Sequence, residues 1–146
     1  MTALSRLTRY IDLPDGLDPQ EALCRANDSL ESHRSSALKV IDQALAELVE
    51  GGNQASLETL ARLSDSIGGL AGMFQMDALG QAAKRLCDIV RLFQLRGTSA
   101  PALIDLHIAA LRLVRSHPDS AQATELLRGL DRIAAREAKG PGAATG

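Results

Sequence analysis

Three histidines (His33, His107 and His117), two cysteines (Cys24 and Cys87) and a run of glycines (Gly68, Gly69 and Gly72) are the residues of this 146-residue chain whose types invite a chemical reading. A zinc site needs several Cys or His ligands at short, recurring spacings. Cys24 and Cys87 are far apart and share no such spacing with the histidines, so no metal site is expected. A disulfide would need the two cysteines to meet in space, and reduced thiols in a cytoplasmic protein are the expectation. His107 falls in an apolar stripe, four after Leu103 and four before Leu111, the place of a packed and hydrogen-bonded ring. His33 sits at a stripe edge and His117 precedes Pro118 in a loop. No Ser/His/Asp or Cys/His pairing has supporting spacing, and no glycine-rich strand-to-helix loop offers a phosphate cradle. The chain reads as non-enzymatic, with no cofactor.

The elements that must carry these residues are helices. The chain is 45% hydrophobic but 2% aromatic, so its core is built from Leu, Ala, Ile and Val, a composition suited to packed helices. A formal net charge of −2 argues against nucleic-acid binding, which needs a concentrated basic surface. No apolar run approaches the roughly 18–20 residues of a membrane span, and the N-terminus lacks the apolar stretch of a signal peptide. No membrane association is expected, and the expected location is cytoplasmic.

Residues 1–17 carry little pattern beyond Leu7, Tyr10 and Ile11 and read as an arm or a single helical turn. Asp18, Pro19 and Glu21 then form a helix start. The stripe that follows runs Leu23, Ala26, Leu30, Ala37, Ile41, Ala44 and Leu48 to Gly51 and Gly52, and Asn27-Asp28-Ser29 leaves open a division into two helices. A second helix starts between Asn53 and Ser56, with Leu57, Leu60, Leu63, Ile67, Leu70, Ala71 and Phe74 apolar. A third begins near Asp77 and stops at Gly97; a fourth spans about 100–115 with Pro101 in its first turn; a last runs about 121–138. Residues 139–146, rich in Gly and Ala, read as a disordered tail. Short loops between amphipathic segments predict an all-α, antiparallel up-and-down four-helix bundle, with an additional N-terminal element and room for a C-terminal one.

One face of the second helix is not explained by packing along its stripe. On a wheel of about 100° per residue, Glu58, Ala61, Arg62, Asp65, Gly69 and Gly72 lie opposite the apolar stripe, with Gly68 on the flank. Each helix-interior glycine costs about 1 kcal/mol against alanine. Three of them are a large concession for a domain whose net stability is roughly 5–15 kcal/mol. Glycine lets another surface approach the backbone; a kink, or a neighbouring helix of the same chain packed closely on these positions, would account for it equally well.

The stretch Ser64-Asp65-Ser66-Ile67-Gly68-Gly69-Leu70-Ala71-Gly72-Met73-Phe74-Gln75, continuing to Leu79, Ala83 and Leu86, resembles histidine-containing phosphotransfer domains, whose signature reads roughly A-H-x-L-K-G-S-A-x-x-[LF]-G. Ile67 falls on that family's leucine, Gly69 on its glycine, Ala71 on its small residue and Phe74 on its apolar residue. The departures lie at the chemistry: Asp65 holds the place of the phosphorylatable histidine, Gly68 that of the usual lysine, Leu70 that of a small polar residue and Gln75 that of the following glycine. A carboxylate lacks the ring nitrogen that accepts and passes on a phosphoryl group. The resemblance therefore implies a pseudo-phosphotransfer domain that binds a receiver domain or a histidine kinase in bacterial two-component or chemotaxis-like signalling. The implied contact face holds Arg62, Asp65, Gly68, Gly69, Gly72, Met73 and Lys84. Lys84, Arg62 and Arg85 would be rim charges steering an acidic receiver. The charged face of the third helix (Asp77, Gln81, Lys84, Asp88 and Arg91) reads equally as an ordinary solvated face with a weak Lys84–Asp88 pair. Two rival functions stand beside this one: an active phosphotransfer protein using a displaced histidine, His107, and a structural bundle that forms a homodimer through its glycine face.

Overall fold

The computed structural model describes residues 18–139. The expected N-terminal arm and residues 140–146 of the expected tail lie outside the described residues. Within them the chain is all-helical, without a strand: α1 (Pro19–Gly51), a 3-10 turn (Gly52–Gln54), α2 (Leu57–Met73), α3 (Asp77–Arg96), α4 (Pro101–Ser116) and α5 (Ala121–Ala138). The chain divides into two units, Met1–Ser36 and Ala37–Gly146.

In the first unit, α1 runs unbroken through Asn27-Asp28-Ser29, so the division left open at those residues does not occur. None of its described residues is buried, and Leu23 and Leu30 are exposed. His33 donates from Nδ1 to the Ser29 carbonyl at 2.6 Å and is otherwise solvated.

In the second unit the apolar stripes close one core: Ile41 and Leu48 of α1, Leu60 and Ile67 of α2, Leu86 and Val90 of α3, Ile104 and Leu111 of α4, and Leu130 of α5. Helix α3 packs against α2, α4 and α5. The capping signals of the sequence operate as physics requires. The Ser56 hydroxyl accepts from the Thr59 N–H at 3.1 Å, and the Ser120 hydroxyl accepts from the Ala123 N–H at 3.0 Å. Pro101 opens α4, where its missing N–H costs nothing. Polar bridges join the helices on the outside. Arg85 of α3 makes two bonds to Asp131 of α5 at 2.7 and 2.8 Å, and Arg115 of α4 grips Asp42 of α1 at 2.8 and 3.1 Å. The 3-10 turn is tied to α4 by Asn53 Nδ2 donating to Asp105 Oδ2 at 2.6 Å.

Helices α2 and α3 both end in the six-residue wrap that closes with a left-handed residue. After α3 the left-handed residue is Gly97, at φ 65°, and the Thr98 N–H reaches the Phe93 carbonyl at 3.1 Å. After α2 the Met76 N–H reaches the Ala71 carbonyl at 2.8 Å and the Gln75 N–H that of Gly72 at 3.4 Å, but the left-handed residue is Gln75, at φ 58°. A side chain is disfavoured there by roughly 1–2 kcal/mol. Gln75→Gly is therefore expected to raise the unfolding free energy by about 1 kcal/mol, read as a rise in urea midpoint at unchanged m-value.

Candidate docking groove

A groove of about 570 Å³ runs along the outer seam of α2 and α3. One wall is Asp65, Gly68, Gly69 and Gly72 of α2; the other includes Gly80, Lys84, Cys87, Asp88 and Arg91 of α3. Small residues on the facing sides of the two helices create it. A Cβ built on Gly68 would lie 3.6 Å from the Ala83 Cβ, and one on Gly80 would lie 3.7 Å from the Ala71 Cβ and 4.0 Å from the Gly72 nitrogen. These are ordinary contact distances, so the space between the two helices beneath the groove is about one methyl group wide at each glycine. Gly69 and Gly72 behave differently: both are exposed, and an added Cβ would meet nothing within 4 Å among the described residues.

The glycine face therefore splits in two. Gly68, on the flank as the wheel has it, is half-buried at the groove wall towards Ala83, whereas Gly69 and Gly72 are open. Because no described residue occupies the space beside the open pair, Gly69→Ala and Gly72→Ala are each expected to stabilise the fold by about 1 kcal/mol through helix propensity alone. Denaturant titration of the two single variants and the double checks this, with near-additive gains.

The charged residues are placed as follows. Asp65 is not a free carboxylate: Oδ2 lies 3.5 Å from Arg91 Nη2, and the Cys87 thiol lies 3.8 Å from Oδ1. Lys84 pairs with Asp88 at 3.2 Å along its own helix. Three carboxylates in the groove (Asp65, Asp77 and Asp88) face two cations (Lys84 and Arg91), so it carries both signs rather than one. Arg62 is outside the groove, lining an adjacent hollow with Glu58, Thr59 and Arg91. Met73 is 72% exposed but is not part of the groove wall, where Met76 stands instead. Arg85 is no rim charge. Its two bonds to Asp131 hold it in a bridge between helices, and the same bonds hold the Asp131 carboxyl below its usual range.

Gly80, Cys87 and the Arg91–Asp65 pair are the features that sequence reasoning missed. Arg91 was legible as an outer-face residue of its helix, but its partner was not. Cys87 is buried and Cys24 exposed, and both thiols are free. Groups of three or more His, Cys, Asp or Glu able to hold a metal do not occur among the described residues. Nor is any described helix long and apolar enough to cross a membrane. His107 has none of its surface exposed, which puts it out of reach of a partner's phosphoryl group in this conformation. His117 is exposed at the end of α4. Comparisons with family models, with curated proteins and with solved structures returned no match.

Proposed function

We propose that this chain is a non-catalytic pseudo-phosphotransfer domain, an antiparallel up-and-down four-helix bundle with additional terminal helical elements, that docks a receiver domain or a histidine kinase along the α2–α3 groove. The observation that carries the reading is the bare backbone at Gly69 and Gly72, exposed beside a groove of both charges. The loops of three and four residues between α2, α3, α4 and α5 support an up-and-down arrangement. Gln75 adds a point in favour of the family alignment. It stands where the related signature has glycine, and its φ of 58° is the conformation that glycine adopts at least cost. In that alignment Asp65 stands at the phosphoacceptor's place, paired with Arg91 at 3.5 Å, and is a poor substitute for an imidazole as a phosphoryl carrier. The domain then acts by occupying its partner: sequestering it, competing with a true phosphotransfer protein, or scaffolding.

The test is to titrate the full chain with the receiver and kinase domains of its source genome, each receiver free and phosphorylated, with light scattering of the mixtures. A 1:1 complex with at least one of them, and no acid-labile phosphate on this chain, is the expected result. Absence of binding to every domain, or a homodimer lost on Gly72→Trp, overturns it; label that disappears in His107→Gln would instead establish an active carrier.

A further inference from the structure

The most deeply placed ionisable group of the described residues lies away from the groove. His107, on α4, has no exposed surface, and its Nδ1 sits 2.7 Å from the Leu103 carbonyl one turn earlier. A carbonyl oxygen only accepts, so Nδ1 carries the proton, and the neutral ring presents a bare lone pair at Nε2. That atom is buried and has no hydrogen-bond partner among the described residues. Any further proton must go to Nε2, where it would create a buried cation whose new N–H finds no acceptor, the costliest way to place a charge in a core.

The surroundings do not compensate. The charged group that bears on the ring is Arg85 of α3, a cation, and its own charge is engaged by Asp131 of α5 rather than offset at the ring. Helix α1 brings Asp42 to α4, but to Arg115, about two turns beyond the histidine. The 3-10 turn contributes Asn53, which bonds Asp105, and carries no ionisable side chain. Asp105 itself is two residues from His107 and lies on the far side of α4. Among the described residues no carboxylate is thus in place to receive an imidazolium.

We propose that His107 is a proton-operated catch: uptake of one proton at Nε2 below neutral pH loosens the packing of α4 against α3. The device stands on the core alone and holds whatever the groove binds. Burial pushes the His107 pKa below its ordinary 6.5, against a smaller opposing pull from the Leu103 bond, and Arg85 adds a lesser push in the same direction as burial. The sign follows from linkage. The unfolded chain binds the proton more readily than the folded one, so stability is full above pH 6.5 and is lost as pH falls from there toward the folded value. Within that window the folded-to-unfolded ratio drops by up to about tenfold per pH unit.

The experiment follows the His107 ring resonance and the exchange protection of backbone amides in the full chain between pH 8 and 4.5. Expected are a ring that titrates below 6.5 and protection of residues 104–114 that falls ahead of α2. In urea unfolding, His107→Leu should remove this acid-dependent component, whereas His33→Gln and His117→Gln should keep it. A ring that titrates at or above 6.5, an α4 that outlasts α2 on acidification, or an unchanged pH profile in His107→Leu each overturns the proposal. If His107→Leu does not fold, the ring titration of the parent chain decides.

Discussion

Gly69→Trp is expected to weaken binding of the partner domain by at least about 30-fold, the scale of a central interface residue, without weakening the fold. The two halves of that statement rest on different observations. Stability is preserved because an added Cβ at Gly69 meets nothing within 4 Å, and tryptophan is a better helix former than glycine. The indole is therefore free to lie over the groove, covering the open backbone at Gly69 and Gly72 that a partner would have to approach. Gly69→Ala separates bulk from backbone chemistry: a methyl group should cost little affinity and add the most stability, so both variants should be at least as stable as the parent while only Trp loses affinity. The control is Arg132→Ala on the exposed side of α5, which should leave affinity unchanged. Titration calorimetry with the partner, paired with urea unfolding of each variant, reads both quantities. Full affinity in a folded Gly69→Trp variant would move the docking surface away from α2.

The same helix illustrates what the sequence carries and what it does not. The boundaries of α2 to α5 were legible because local chemistry sets them: Ser56, Pro101 and Gly97 each act within one turn of their own position. The apolar stripe of α2 was legible because it has a helix's period. Which glycine faces a neighbour and which faces water was not, since that depends on the register between two helices. Gly68 and Gly69 are adjacent in sequence, yet one meets Ala83 and the other meets nothing. Gly80 gave no signal at all, because its partner Ala71 is on another helix. The pairings of Arg85 with Asp131 and of Arg91 with Asp65 cross between helices and leave no spacing rule to find. The continuity of α1 through Asn27-Asp28-Ser29 was ambiguous for a different reason: these residues are weak helix formers that tolerate a helix interior when their neighbours carry it.

Leu86→Ala is expected to cost about 2–5 kcal/mol of unfolding free energy, the range for emptying a well-packed leucine site. Leu86 has no exposed surface and lies on α3, the helix that packs against α2, α4 and α5. At Gly68 and Gly80 the gap between α2 and α3 is about one methyl group wide, so α2 can move only slightly into the space left behind. Partial collapse is the only relief, and the cavity component stays. Lys84→Ala, two residues earlier on the same helix, removes a longer side chain that is 76% exposed; its weak pair with Asp88 predicts a change below about 0.5 kcal/mol. Two substitutions one turn or less apart should thus differ by several-fold in cost, and the difference measures how sharply α3 divides core from groove. Urea unfolding of both variants at pH 7.5, above the window in which His107 takes up its proton, reads the contrast cleanly. A Leu86→Ala cost under 1 kcal/mol would mean that α3 is not the central helix of the core.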